Sequence, residues 1–262
     1  MNARPAMGAV NWVGLATLCG REVRRFTKVF IQTLLAPMVT TLLFLAIFAL
    51  ALGRLSQTVG GVPFMEFLAP GLIMMAIVQN AFANTSSSII GSKMQGNIVD
   101  TLMAPLTAHE LTLGYAFGGI ARGIAVGVTV GLAMSVFVPM HIHHLGFILF
   151  HAVAASLMLA LMGLMGGIWA DKFDQMSAIT NFVVTPLSFL SGTFYSIQRL
   201  PETFQALAHF NPFFYMIDGF RYGFIGSSDA DPLTGVLVLT AVDAVLWVCC
   251  YRMIASGYKL KP

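Results

Sequence analysis

The chain has 262 residues, 57% of them hydrophobic and only 10% charged, with a net charge of +3 and a mean hydropathy of +0.81. Soluble domains carry about 25% charge, so composition excludes an ordinary soluble fold and leaves little chain for an extramembrane domain. The small positive balance does not argue for nucleic-acid binding, because no basic patch with interleaved aromatics occurs.

Residues 9–31 predict an amphipathic helix. At 100° per residue, Trp12, Leu15, Ala16, Cys19, Val23, Phe26 and Phe30 fall within about 60° of one direction. Arg21, Arg24, Arg25 and Lys28 gather opposite. Such a helix suits the headgroup plane, or it packs on another cytoplasmic element. Both hold if a partner protein sits beneath the membrane.

Six apolar runs follow, at 34–53, 67–90, 112–138, 147–170, 176–196 and 233–254. About 20 apolar residues cross the ~30 Å hydrocarbon core as a helix. The first run begins too late, and is too long, for a secretory signal core of about 7–15 residues, and is read as an uncleaved span. The fold expected is an all-α polytopic membrane protein with six transmembrane helices, forming one domain over 1–262.

The inner half of the second run is polar, with Gln79, Asn80, Asn84, Thr85 and Ser86–Ser88. That pattern fits a wetted cavity or interhelical hydrogen bonding equally well. In the loop 91–110, Ile98, Leu102 and Leu106 recur at helical spacing. Asn97 is placed to cap a short helix ending before Pro105. Thr107 caps the next, with Glu110 three residues on.

The third run carries a glycine ladder, Gly119, Gly123, Gly127 and Gly131, which lets another helix approach closely, within the protomer or at a dimer seam. Two ionisable residues lie inside spans, Arg122 and Asp243. Such groups are costly in lipid and mark a substrate path by default. The alternative is that Arg122 snorkels to the interface and Asp243 hydrogen-bonds a neighbouring helix. His141, His143 and His144 follow Pro139 in a turn that solvation explains as well as metal binding, so no metal site is assigned. Cys19, Cys249 and Cys250 show no disulfide or metal spacing.

Residues 197–226 are rich in aromatics but broken by Pro201 and Asn211-Pro212. Two short helices with a break at 211–212 are expected. A re-entrant helical hairpin before the last span, dipping into the outer interface, would keep these aromatics from water. An interfacial aromatic belt is the other reading. Asp218 and Arg221 sit three apart, within pairing distance on one helix face.

Lys and Arg orient the chain. Ten, Arg4, Lys93, Lys172 and Lys261 among them, fall on the side of both termini, and three, Arg54, Arg199 and Arg221, on the other. Arg122, within a span, completes the 14. By the positive-inside rule the termini are cytoplasmic.

Two stretches carry a resemblance. Lys93, Gly96, Leu102 and Pro105-Leu106-Thr107 resemble the cytoplasmic coupling loop of ABC-2 type transporter permeases, although Asn97 stands where the family usually has Thr. Leu200-Pro201, then Asn211-Pro212 with its aromatic-rich continuation to Arg221, resembles the family's late signature. With six spans and the N-terminal helix, the resemblance covers essentially the whole chain and is to the short, YadH/NodJ-like bacterial permeases.

The resemblance implies the membrane subunit of an ATP-driven exporter in the bacterial inner membrane. It implies a homodimer with a separate ABC ATPase subunit. ATP and Mg belong on that partner, with no cofactor in this chain, which lacks the G-x-x-x-x-G-K-[ST] phosphate cradle. ATPase coupling would fall to Lys93, Gln95, Gly96, Asn97, Asp100, Leu102 and Pro105. Trp12, Arg21, Arg24, Arg25 and Phe26 would form the interfacial helix. The outer gate would be Pro201, Asn211, Pro212, Asp218 and Arg221. A secondary transporter or channel is the alternative. It would need inverted repeats and coupling carboxylates, yet no repeat is evident and Asp243 is the one carboxylate within the apolar runs. An intramembrane enzyme would need a nucleophile–base set or HExxH ligands at depth, and no such set is seen.

Overall fold

A computed structural model describes residues 10–52, 58–59 and 61–260. Arg4, residue 9 of the expected amphipathic helix, Arg54 and Lys261 lie outside the described residues. The first helix, α1, spans Trp12–Thr27, and Asn11 caps it by accepting from the Gly14 amide at 2.9 Å. A π turn, Ile31–Leu35, leads directly into α2, Ala36–Leu52. A two-residue antiparallel ladder, β1 (Thr58–Val59) with β2 (Val62–Pro63), interrupts the otherwise helical order. The all-helical expectation misses it because two residues leave no readable alternation.

The helix α3, Phe64–Met94, has 31 residues and is therefore ~46 Å long. It outruns the hydrocarbon core at one or both ends. Then come α4 (Ile98–Met103), α5 (Ala108–Met134) and α6 (Leu145–Trp169). Five helical stretches are long and apolar enough to cross a membrane: Ile31–Ala51, α3, α5, α6 and the last helix, α11 (Pro232–Ser256). The apolar run at 176–196 takes another form. It lies in α7 (Phe173–Ile179), a π turn (Thr180–Val184) and α8 (Thr185–Leu190), and then bends at Ser191. Asp174 and Gln175 precede the run in the same helix and Asn181 interrupts it, which dilutes the apolar character of Phe173–Leu190. After it come α9 (Glu202–His209) and α10 (Pro212–Ile225).

The core is built around α3, 78% of whose most apolar window is buried, against 11% for Ile31–Ala51 and 22% for α11. Helices α5, α6 and α10 surround α3. Small residues allow the closest approaches. A side chain at Gly163 would run into Thr85 and the Phe82 carbonyl, and one at Gly167 would lie 2.9 Å from Ile89 Cβ. At the same crossing Thr85 Oγ1 donates to the Ala160 carbonyl at 2.7 Å. A hydroxyl satisfied across a helix pair in this way adds to van der Waals packing where no hydrophobic force acts between helices.

Candidate functional site

The loop after α3 turns at Gly96, whose φ of +74° is a left-handed conformation that favours glycine. Beyond it α4 is amphipathic on a small scale. Ile98 and Thr101 are buried and Leu102 half-buried, whereas Gln95, Gly96, Asn97, Val99, Asp100, Met103 and Pro105 are exposed. The exposed side mixes apolar Val99 and Met103 with Asp100. Asn97 occupies the cap position of α4, but its side chain donates to Gln95 Oε1 at 3.2 Å and does not cap the helix. Its φ of −80° and ψ of −4° are already helical, so the oxygen cannot reach the amides ahead. Thr107 and Glu110 form the full capping box at the start of α5, with bonds of 3.3 and 2.6 Å.

Lys93, in the last turn of α3, donates to the Ile168 and Ala170 carbonyls at 2.8 and 2.6 Å. It also lies 3.4 Å from Asp171. The loop after α3 is thereby tied to the loop after α6.

The amphipathic face of α1 differs from the expected one. Leu15, Leu18, Glu22 and Phe26 are buried, while Trp12 and Val13 stand 72% and 79% exposed. Arg21 and Arg24 are exposed, yet the guanidinium groups of Arg21 and Arg25 turn toward the protein and not away from it. The reason is Glu22, which is fully buried. It accepts from Ser88 Oγ at 2.8 Å and pairs with both Arg21 and Arg25 at 3.3 Å. Arg21 reaches Thr101 of α4 and the Tyr115 hydroxyl at 3.0 and 3.1 Å. Arg25 reaches Asn84 Oδ1 and Ser87 Oγ, each at 3.0 Å. A buried carboxylate must be paired and hydrogen-bonded, so it pulls the arginines in and rotates the helix. Gly118 of α5 makes room, since a Cβ there would lie 2.5 Å from Glu22 Cβ.

At the other end Asn211 separates α9 from α10. Its Oδ1 accepts from the Phe213 amide at 3.1 Å, its Nδ2 donates to Ser191 at 2.8 Å, and Pro212 opens α10. Pro201 starts α9, an exposed helix that carries Phe204 and ends beside the exposed Phe210. Phe213, Phe214 and Phe220 of α10 are buried against the core.

Asp218 and Arg221 do not pair with each other. The Asp218 carboxylate accepts from the Asp229 and Ala230 amides at 2.8 and 3.0 Å. Arg221 donates to the carbonyls of Phe67, Gly192 and Thr193 at 3.2, 2.7 and 3.4 Å and lies 3.8 Å over the Phe67 ring. Asp229 in turn accepts from Ser196 Oγ and the Ile197 amide. These bonds knot the 191–199 bend, α10, the loop before α11 and the start of α3. A cavity of about 440 Å³ opens beside the knot, lined in part by Arg199, Asp218 and Arg221.

Within the spans, Arg122 donates to Asn80 Oδ1 at 2.9 Å. Asp243 is buried, and among the described residues no ion pair joins the two. Gly119, Gly123 and Gly127 face α3 and α6 of the same chain, where a Cβ would meet Ala160 at 2.5 Å, Ser156 at 2.7 Å and Ile77 at 2.6 Å. Gly131 is roomier, its nearest neighbour being Ile73 at 3.8 Å. The polar half of α3 toward Met94 divides its partners. Thr85 bonds α6, Asn84, Ser87 and Ser88 bond α1, and Ser86 lines a small cavity of about 230 Å³ against α7.

The sequence profile of the ABC-2 type transporter family matches residues 14–225, most of the chain and both loop regions just described. The chain belongs to the ABC-2 type transporter family. It is 39% identical over 250 residues to the inner membrane transport permease YadH of Escherichia coli strain K12, covering 95% of this chain and 98% of that one. Nodulation protein J of Rhizobium leguminosarum bv. viciae is 25% identical over 234 residues, 88% of this chain and 89% of that one. Nodulation protein J of Rhizobium meliloti strain 1021 is 22% identical over 253 residues, 96% and 92% of the two chains. This ABC-2 permease is thus a transmembrane transport protein.

Sequence reasoning missed three residues that organise the ABC-2 permease's two ends. Glu22 was hidden among four cations, although a lone acid at that place was the available signal. Asp229 and Asp171 gave none, since their partners lie 32 and 78 residues away.

Proposed function

We propose that this chain is the membrane-spanning subunit of an ATP-driven exporter in the bacterial inner membrane. It forms the substrate path as a homodimer and is driven by a separate ABC ATPase carrying ATP and Mg. Family membership supports the class. The observation that carries the partner is the face of α4. A six-residue helix is too short to be stable alone, yet it is backed by α1 through Arg21–Thr101 and presents Val99, Asp100 and Met103 outward. Lys93, Gln95, Gly96, Asn97, Leu102 and Pro105 shape that elbow, and Trp12 and Arg24 flank it on α1, within the headgroup plane.

On this reading Phe173–Leu190 completes six spans, both termini are cytoplasmic, and α9 with α10 forms a re-entrant outer gate built on Pro201, Asn211, Pro212, Asp218 and Arg221. Arg122 and Asp243 line or brace the path.

The test is co-expression with a Walker A ATPase encoded beside it. Detergent extraction of the permease retains the ATPase, and Asp100→Lys with Met103→Glu on α4 abolishes transport-linked hydrolysis while insertion stays intact. A permease that never retains an ATPase, or an α4 variant with unchanged turnover, refutes the assignment.

A further inference from the structure

The segment that follows α11 has no part in the reading above, yet it folds back under the bundle. Gly257 ends α11 at φ +68°, and Lys259, at φ +51°, is the one non-glycine residue with positive φ among the described residues. A left-handed lysine is held only where its surroundings over-determine it. Here Lys259 Nζ donates to the Trp169 carbonyl and to Asp171 Oδ2, both at 3.0 Å. Asp171 is the same carboxylate that Lys93 approaches from the end of α3. One acid therefore joins the α3–α4 loop, the α6–α7 loop and the segment after α11.

That turn drives Leu260 inward, to 4% exposure. It joins an apolar cluster with Ile98 of α4, Leu111 of α5, Ile168 of α6 and Leu18 of α1. Leu260 lines a gap of only about 10 Å³ together with Ile98, Thr101 and Leu102, the inward side of α4. Asp171 is 55% exposed, so its ion pairs contribute little. Burial of the leucine supplies the hold, and the lysines set its register.

We propose that Gly257–Leu260 is a positioning clamp that fixes α4 from the side opposite its docking face, so that a push on α4 moves the spans and is not absorbed by a loose elbow. The functional half of this rests on the ATPase-driven reading; the physical half does not.

Two measurements test it. The first is hydrogen exchange on the purified full chain, comparing Leu260→Asp, Leu260→Ala and Lys259→Ala with the unaltered protein. Losing a buried leucine raises exchange in residues 97–104 roughly tenfold, with α3 and α6 unchanged. Unchanged exchange in α4, or an equal rise throughout the bundle, overturns the clamp. The second is MgATP hydrolysis by the permease–ATPase complex. The Leu260 variants retain the ATPase and its KM for ATP but lose roughly tenfold in kcat, and Leu260→Met restores it. Undiminished kcat alongside loosened α4 overturns the transmission role. If the unaltered chain retains no ATPase, the proposed function fails, and exchange in α4 alone decides the clamp. Leu260→Ala and Lys259→Ala keep the test decisive if Leu260→Asp does not fold.

Discussion

Arg221 is held by three carbonyls and one aromatic ring, with no carboxylate in its hydrogen-bond set. Removing it leaves those buried acceptors unpaired, at on the order of 3 kcal/mol. Arg221→Ala is therefore expected to lower the melting temperature in detergent sharply. Arg221→Lys recovers only part, because an ammonium lacks the planar fork. Gly219 is as tightly placed. A side chain there would overlap the His151 ring, so Gly219→Ala destabilises by about 1–3 kcal/mol. The double variant with His151→Ala regains most of that loss, and a melting series of the four proteins measures the coupling.

Asp171 gives the turn after α11 a weak pH dependence. The hydrogen bond from Lys259, then that from Lys93, holds its carboxyl below the usual carboxylate range. A depressed value stabilises above the unfolded value of about 3.9 and is lost as the pH falls through the lower, folded value. Fluorescence of Trp169, beneath Lys259 at 5.5 Å, is expected to stay flat from neutral pH to about pH 5 and to change only below about pH 4. Of these residue-level contacts, the spacing of Thr107 and Glu110 was readable, because three residues on a helix end decide it. The spacing of Asp218 and Arg221 misled, because their partners come from segments 11 and 154 residues away.

Helices were more legible than the way they face. Five of the six apolar runs became long helices because length and hydropathy alone fix such elements in lipid. The orientation of α1 was not readable, since a buried Glu22 outweighs the aliphatic stripe and its Ser88 partner lies 66 residues on. The glycine stripe of α5 was visible, but which helix it meets was not. Its members are also unequal. Gly131→Ala is expected to change stability by less than about 0.5 kcal/mol, as its Cβ would have 3.8 Å of room. Gly123→Val on the same stripe drives methyls into Ser156 and the Ile77 carbonyl and prevents a monodisperse extract. Size-exclusion profiles of the two variants give the comparison, and equal profiles would disprove intraprotomer packing of this stripe.

For the molecule as a whole, sidedness is the property on which the exporter reading turns. In a chain freed of Cys19, Cys249 and Cys250, a cysteine at Asn97 is expected to react only with reagents admitted to the cytoplasm, and one at His141 with impermeant reagents outside. Labelling of position 97 from outside would invert the orientation and remove the ATPase from reach.

On the exporter reading one helix runs between those two sides, with Pro70 inside its second turn. The helix α3 accepts from Arg221 through Phe67 near one end and carries Lys93 at the other, 26 residues on, or ~39 Å of rise. A tilt at its foot is expected to displace its head as well. On the exporter reading the two mouths of the substrate path then move together, and a population with both open at once should be absent from distance distributions measured across it.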